Sequence, residues 1–523
     1  MTEESTPLIL NRSTRTRPSL DYRTVSSSPS LPILTPVVNR VRQHGLQAVD
    51  DGDLFPSATT AVEQVSFKLI VLLQLYLLYR APPSTFGQEV WEQWSKERAS
   101  SLNSEDLERR AIHLWEEFLE VSRTTGEIEE CLWSAYPLEE DKSLNVRGMS
   151  PIVVDILKDP KAPPSLLSHR LITLSLLRTW THGRVLTPAE SLSLRVLQRF
   201  SSVTTPSRVV HAVDILLQLG YLALLSNYVL YPPERPIVTT GLSSTGTREA
   251  LLIIYSTASL IRPPPTFLVA PFVLVTGAFF FSLPSTPLPG DTSYSILLGA
   301  LILHVLLLHL PRTPSPNFLV SPEVTLPLAT LLWHEFTRTL YPGILFYLPA
   351  AFLASFFLSV ALEDSIPHFP TALNLVGPAP MEIRMAFFTL WSILLLLMLA
   401  STALLVLFSA SLLPISSRMA CPWDRYSVAV GLRSRRIFVA AVSGYSVPYY
   451  FPPPFNLLQV LFICTPRYLS RQFGWKESPV IEQFEGILWH FTTGLLGFLV
   501  AGCCWLWTTM TTSLSLTSFS WNM

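Results

Sequence analysis

Residues 341–362 (YPGILFYLPAAFLASFFLSVAL) and 385–413 (MAFFTLWSILLLLMLASTALLVLFSASLL) form two long apolar runs that follow each other closely in the chain. Each run reaches the roughly 20 mostly apolar residues that a helix needs to cross a bilayer. The segment that joins them carries the carboxylates Glu363, Asp364 and Glu382. We therefore expect a pair of membrane-crossing helices with an acidic connection between them.

The chain as a whole is poor in charged residues. Of its 523 residues, 49% are hydrophobic and 14% are charged, whereas soluble proteins carry about 25% charged residues. The deficit lies almost entirely after residue 208, where apolar runs alternate with proline-rich breaks. We expect an all-α polytopic membrane protein with a cytosolic helical N-terminal domain. A net charge of −1 gives no reason to expect a nucleic-acid partner.

The number of apolar runs predicts how often the chain crosses the membrane. Six runs precede a long polar segment, and a seventh, Gly486–Trp507, contains glycines that suit close helix packing. We expect a six-span core plus one C-terminal apolar helix. The six runs are Val209–Leu230, Arg248–Ile261, Thr266–Leu283, Ser293–Leu310, Tyr341–Leu362 and Met385–Leu413.

Composition divides the chain into seven predicted segments. Ser, Thr, Pro and Arg dominate its beginning, which lacks hydrophobic periodicity and is predicted to be disordered. The mixed segment Leu326–Leu340 is expected to be an interfacial helix before the fifth run. The segments are a cytosolic tail at 1–58, a cytosolic helical linker domain at 59–208, a four-span bundle at 209–310, a pore-like domain at 326–413, a cytosolic basic segment at 414–485, the C-terminal apolar helix at 486–507 and a tail at 508–523.

The helical linker domain shows partly helical spacing of its apolar residues. The apolar stretch within residues 61–80 is too short to cross a bilayer, which predicts a buried or interfacial helix. Asn103 and Ser104 predict a helix start near 103–105. Trp91 and Trp94 are expected in a core or at an interface, and the alternative is that they bind a ligand. Residues 59–208 as a whole are a candidate surface for a cytosolic protein partner. Further helices are predicted over Ser165–Trp180 and Pro188–Phe200.

The distribution of Lys and Arg predicts the orientation. Residues 414–485 carry eight of these side chains and residues 284–292 carry none, so the first segment is expected in the cytosol. Six spans separate it from the N-terminus, which is then also cytosolic. The acidic connection between the fifth and sixth runs falls on the opposite side of the membrane.

Enzymatic chemistry is not predicted. His334-Glu335-Phe336-Thr337-Arg338 begins like the zinc-binding pattern H-E-x-x-H, but Arg338 replaces the second histidine. The chain also lacks a P-loop and the nucleophile pattern G-x-S-x-G, so we expect no enzyme, no metal site and no cofactor. His334, Glu335 and Arg338 lie on the interfacial segment, where they would either couple the preceding runs to the hairpin or form a plain connector.

Ionisable residues within apolar runs are costly and indicate function by default. His211 and Asp214 lie on one face of the first run, and His304 and His309 lie in the fourth. The alternative is structural: Asp214 pairs with a nearby arginine such as Arg208, and the histidines are neutral members of the bundle.

A stretch after the sixth run resembles a known family. The sequence RYSVAVGLRSRRIFVAAV begins at Arg425, and YSVPYYFPPPFNLLQVLFICTPRYL ends at Leu469. A basic helix, an aromatic-Pro-Pro-Phe-Asn-Leu turn and an apolar run in this order resemble the region after the last pore helix of fungal vacuolar TRP-type cation channels. The six-run layout and the helical linker are similar to that family too. The residues of the match are Arg433, Arg435, Arg436, Pro452, Pro453, Pro454, Phe455 and Asn456.

The resemblance implies a homotetrameric, calcium-permeable, non-selective cation channel with a six-span channel-like core in the membrane of the vacuole or another fungal endomembrane. Glu363, Asp364 and Glu382 are then candidates for the ion pathway, because rings of carboxylates attract cations. The fourth run has no ladder of arginines, so strong voltage gating is not expected. The chain departs from the family in its hairpin loop, and it has a seventh apolar run where an acidic calcium-sensing tail is typical.

Two other functions fit the same sequence. A non-conducting scaffold or regulatory protein would share the fold and bind a soluble partner on its N-terminal helices. A secondary transporter would use broken helices near the membrane midplane, for which Gly343 and Pro349 in the fifth run are a faint indication. The plasma membrane is an alternative to an endomembrane.

Overall fold

The computed structural model is all-helical in the residues that it describes. The chain forms two compact units, of which the first comprises Met1–Val320 with Arg435–Met523 and the second comprises Ser321–Ser434. The described residues are 33–44, 60–80, 90–136, 151–184, 206–231, 247–261, 269–281, 290–362, 381–407, 421–447, 449–473 and 479–503.

Seven helices make up the described N-terminal part of the first unit. Capping boxes begin two of them, because Thr60 and Glu63, and likewise Thr124 and Glu127, exchange side-chain and backbone hydrogen bonds. The helices are α1 (Leu34–His44), α2 (Ala61–Tyr79), α3 (Val90–Glu120), α4 (Thr125–Trp133), α5 (Val153–Leu157), α6 (Pro164–Ser168) and α7 (Arg170–His182).

Helix α2 is the central helix of this part. It is 19 residues long, so the prediction that this segment is too short to cross a bilayer was wrong. Ten of its side chains are buried in the protein. The hydroxyl of Ser66 donates a 2.8 Å hydrogen bond to the carbonyl of Cys131, and that of Tyr136 donates a 2.7 Å bond to the carbonyl of Glu63. These contacts fix α4 and the chain after it on α2.

Two predicted helix boundaries in this region were wrong. Helix α3 continues through residues 103–105, because the Ser104 hydroxyl bonds the carbonyl of Ser101 within the helix instead of capping a new one. The predicted helix over Ser165–Trp180 is divided at His169, whose backbone is extended. The predicted helix Pro188–Phe200 lies outside the described residues.

Four helices form a bundle around one apolar core in the first unit. Tyr221 stacks on Tyr255 with ring centroids 4.5 Å apart, and Leu225, Leu252 and Val275 are buried beside them. The helices are α8 (Ser207–Leu230), α9 (Thr247–Leu260), α10 (Ala270–Phe281) and α11 (Gly290–Leu308).

The second unit contains a long continuous helix and a hairpin partner. Helix α12 (Pro322–Glu335) passes through a π-helical turn, π1 (Phe336–Leu340), directly into α13 (Tyr341–Leu362). Helix α14 (Met381–Leu407) pairs with α13. The interfacial segment is therefore not a separate helix, because π1 continues the helical backbone into the fifth run.

The last helices follow the hairpin in the chain. Helix α15 (Val428–Tyr445) has residues in both units, and α16 (Asn456–Gln459), π2 (Val460–Cys464) and α17 (Thr465–Gln472) belong to the first. The C-terminal helix consists of α18 (Pro479–Trp489), π3 (His490–Gly494) and helical residues 495–503.

Within the part of the chain that the structure describes, four helices are long and apolar enough to cross a membrane: Ala61–Tyr79, Ser207–Leu230, Met381–Ser401 and Gln483–Cys503. Three further apolar helices are shorter, at Ala270–Phe280, Ser293–Leu308 and Leu345–Leu358. The protein thus has several helices suited to a bilayer, whereas the six-span core remains a prediction.

Candidate functional site

The acidic residues of the hairpin separate into two groups. Glu363 and Asp364 lie outside the described residues. Glu382 was predicted in the connecting loop, but it lies exposed in the first turn of α14. The helix begins before the apolar run because a carboxylate in the first turn interacts favourably with the helix dipole.

The hairpin exposes apolar side chains on nearly every face. Ala354 is the only buried residue among the described side chains of α13 and α14. The two helices hold each other through the indole of Trp391, which donates a 3.0 Å hydrogen bond to the Ser355 hydroxyl, and through stacked rings of Phe357 and Phe387. A surface this apolar requires lipid or other apolar helices around it.

A polar contact joins the segments on either side of the hairpin. Arg433 on α15 lies 3.1 Å (Nη1 to Nδ1) from His334, in the last turn of α12. Because a guanidinium only donates, the imidazole nitrogen accepts. We call this pair the hairpin linkage. It brings together a residue from the predicted coupling set and one from the matched basic helix.

The other two predicted coupling residues differ in environment. Glu335 is buried, with 4% of its surface exposed, whereas Arg338 is exposed in π1. The buried Trp423 lies in a 3₁₀ turn that packs against α12. Gly431 on α15 lets that turn approach, because a β-carbon there would lie 2.9 Å from the Trp423 carbonyl. This close packing positions α15 for the hairpin linkage.

A buried carboxylate forms the main polar site of the first unit. Asp214 is fully buried on α8, and its Oδ2 accepts hydrogen bonds from the hydroxyls of Tyr445 at 2.7 Å and Tyr450 at 2.8 Å. We call these three residues the aspartate cluster. An arginine such as Arg208 was the alternative partner for Asp214, and the Arg208 guanidinium donates to the carbonyl of Leu319. The two tyrosines fix α8 to the end of α15 and to the segment after it.

His211 belongs to the surroundings of this cluster. Its Nε2 lies 2.9 Å from the carbonyl oxygen of Ser315, and its ring is 4.9 Å from that of Tyr445 and 5.5 Å from that of Trp180. The indole of Trp180 connects α7 to the same aromatic group. Helix α8 is therefore anchored from both the N-terminal helices and the C-terminal part of the chain.

One further arginine of the matched segment contacts the N-terminal helices. Arg436 donates a 3.3 Å hydrogen bond to the carbonyl of Ala162, and Arg435 is buried. Farther along α15, the Ser443 hydroxyl donates a 2.6 Å bond to Asp155, which also pairs with Lys158 at 2.7 Å. The basic helix thus packs on the helical linker domain.

The proline-rich turn is packed against the bundle. Pro452 and Pro453 are buried, Pro454 and Phe455 are half-buried, and Asn456 donates a 2.6 Å hydrogen bond to the carbonyl of Ala258 on α9. The turn therefore has a structural role at this position, as the anchor of the chain that follows it on α9.

The two histidines of the fourth run differ from each other. His304 is buried between the rings of Tyr221 and Phe272, whereas His309 is exposed and its Nδ1 lies 2.8 Å from the carbonyl oxygen of Val305. No group of three or more His, Cys, Asp or Glu side chains that could hold a metal ion occurs among the described residues.

Sequence reasoning missed the tyrosines of the aspartate cluster. Tyr445 and Tyr450 flank the quoted turn, but nothing in the local sequence connects them to a helix more than two hundred positions earlier. A buried carboxylate requires hydrogen-bond donors, which indicates that Asp214 has partners but does not indicate which residues they are. No family model and no curated protein matches the chain.

Proposed function

We propose that this protein is the subunit of a TRP-like, non-selective and calcium-permeable cation channel of a fungal endomembrane, and that it assembles as a homotetramer. The proposal starts from the resemblance of the segment after the hairpin. The observation that carries it is the hairpin linkage, the 3.1 Å contact between His334 and Arg433. It ties the helix that enters the hairpin to the helix that follows it.

A linkage of this kind suits a gated pore. In a channel, the helices before and after the pore pair must move together, so that a change outside the membrane alters the pore. The π-helical turn π1 lies between the linked residue and α13, and π-helical turns occur frequently at functional sites. The entry to the hairpin thus has both a tether and an irregular turn.

The exposed surface of the hairpin supports the oligomer. Large apolar side chains such as Phe346, Phe352 and Leu396 are each at least 68% exposed. In a tetramer, neighbouring subunits would cover part of this surface and lipid the rest. The acidic residues near the connection, Glu363, Asp364 and Glu382, would then be repeated four times around one axis.

Conduction is the direct test. We expect purified protein in liposomes to give cation currents, tested under calcium, stretch and redox stimulation. Replacing Glu363→Gln and Asp364→Asn together should reduce calcium permeability, whereas Glu323→Gln on α12 serves as a control outside the connection. No current under any of these stimuli would reject the channel function, and unchanged selectivity in the double variant would remove those carboxylates from the ion pathway.

One observation favours a second function, a non-conducting scaffold. Trp91 and Trp94 lie together on α3 with ring centroids 4.9 Å apart and are 71% and 45% exposed. Exposed tryptophans are typical of protein interfaces. A protein that binds a cytosolic partner through this pair and gives no current would be a scaffold of the same fold.

A further inference from the structure

The C-terminal helix makes three polar or close contacts with the chain between Tyr449 and Arg467, which includes Tyr450 of the aspartate cluster. Glu485, in the second half of α18, is buried and accepts from Arg467 at 3.4 Å and from Gln459 at 3.1 Å. The side chains of Glu485 and Arg467 are 2% and 11% exposed. A buried ion pair with good partners fixes the geometry of its two helices.

The next contact lies one residue later on the same helix. Gly486 faces Tyr449, and a β-carbon added at Gly486 would lie 2.8 Å from the tyrosine hydroxyl oxygen. Tyr449 has a φ of 53°, a backbone conformation that is unusual for a large side chain and persists only where surrounding contacts enforce it. The absence of a side chain at position 486 therefore allows the helix to press against this residue.

The third contact reaches the residue beside Tyr449. The buried indole of Trp489 donates a 2.9 Å hydrogen bond to the backbone carbonyl of Tyr450. The hydroxyl of the same Tyr450 donates to Asp214 on α8. Trp489 thus holds the backbone of Tyr450, and the side chain of Tyr450 holds α8.

We propose that the C-terminal helix is a restraint built into the fold, in which Glu485, Gly486 and Trp489 hold Tyr450 on Asp214 and so keep α8 attached to the segment after α15. Glu485 and Trp489 are positioning residues in this arrangement. The effect of the restraint on currents rests on the proposed channel function, whereas its effect on the aspartate cluster does not.

Hydrogen exchange on the full-length protein in lipid nanodiscs tests the restraint without reference to conduction. Trp489→Phe keeps the aromatic ring and removes the donor, and Glu485→Gln keeps the shape and removes the charge. We expect each variant to raise the exchange rate of peptides containing residues 449–457 and 210–218 by about fivefold, the effect of one lost hydrogen bond. Phe491→Leu is the control, because Phe491 lies on the same helix and is 77% exposed.

The outcome separates the restraint from simple loosening of the helix. Faster exchange in residues 479–503 alone, with no change at the aspartate cluster in either variant, would overturn the proposal. Gly486→Ala gives a second route to the same result if Trp489→Phe folds poorly. Where currents are measurable, Trp489→Phe and Glu485→Gln should change the open probability of the channel and Phe491→Leu should not. A wild type without current rejects the channel function and leaves the exchange result to decide on the restraint.

Discussion

The hydroxyl of Tyr445 donates a 2.7 Å hydrogen bond to Oδ2 of Asp214, although the two residues are 231 positions apart in the chain. Asp214 is fully buried. Removing one partner of a buried polar atom costs about 1–3 kcal/mol, so Tyr445→Phe should lower the free energy of unfolding by about 2 kcal/mol. Thermal unfolding in detergent micelles measures this loss.

Two further variants make that measurement specific. Tyr468→Phe is the matched control, because Tyr468 is 62% exposed and should leave stability unchanged. Combining Tyr445→Phe with Asp214→Asn should cost less than the sum of the two single changes, since they remove the same contact. Full additivity would show that Tyr445 acts elsewhere.

The hairpin linkage should affect gating more than stability. The contact between His334 and Arg433 is exposed, and exposed polar pairs contribute less than about 1 kcal/mol. We expect His334→Ala and Arg433→Gln to leave the melting temperature nearly unchanged and to shift channel activation in the same direction. We expect the double variant to show the same shift in activation as either single variant. Shifts that add in the double variant would contradict the linkage.

The surface of α14 gives a prediction about assembly. None of its described side chains is buried, so single cysteines introduced along residues 388–399 report what lies beside the helix. We expect oxidative cross-links up to the tetramer at positions that recur with helical spacing. Leu216→Cys on α8, 52% exposed, is the comparison and should stay monomeric. Cross-links that stop at the dimer at every position would contradict the tetramer.

His169 predicts a dependence of stability on pH. The indole of Trp115 donates a 3.2 Å hydrogen bond to its Nδ1, and burial lowers the pKa of His169 although Glu116 opposes the shift. A histidine whose pKa is lower in the folded state stabilises fully above its unfolded pKa of about 6.5, and this contribution is lost as the pH falls from there toward the folded pKa.

The melting temperature of the wild type should therefore drop as the pH falls from neutral through the unfolded pKa of about 6.5. His169→Gln should flatten this part of the profile. His182→Gln changes an exposed histidine at the end of α7. It should leave the dependence of the melting temperature on pH unchanged. An identical slope in the His169 variant would assign the pH dependence to other groups.

The tryptophans of α3 should divide into two classes. Trp115 is fully buried, and Trp115→Ala should cost about 3–5 kcal/mol of stability. Trp91→Ala and Trp94→Ala should stay within about 0.5 kcal/mol of the wild type, as surface substitutions do. A large loss from either exposed tryptophan would indicate that it is packed in the assembled protein.

Apolar runs bounded by prolines were predictable from the sequence, and contacts between distant segments were not. The fifth run was predicted at Tyr341–Leu362, the bounds of α13, because hydrophobicity changes sharply at both ends. Helix α3 passes through its predicted start, where the Ser104 hydroxyl bonds the carbonyl of Ser101 within the helix. The partners of Asp214 depend on how α15 and the turn after it pack on α8, which no local pattern encodes.

The uninterrupted helix from α12 through π1 to α13 is roughly 60 Å long at 1.5 Å per residue, about twice the hydrocarbon thickness of a bilayer. In a bilayer, about half of a helix of this length would lie outside the lipid. The π-helical turn π1 holds one residue more than an α-helical turn. Losing that extra residue would rotate α13 by about 100° relative to α12. A change between the π-helical and the α-helical form of π1 would therefore turn α13 about its own axis without breaking the helix.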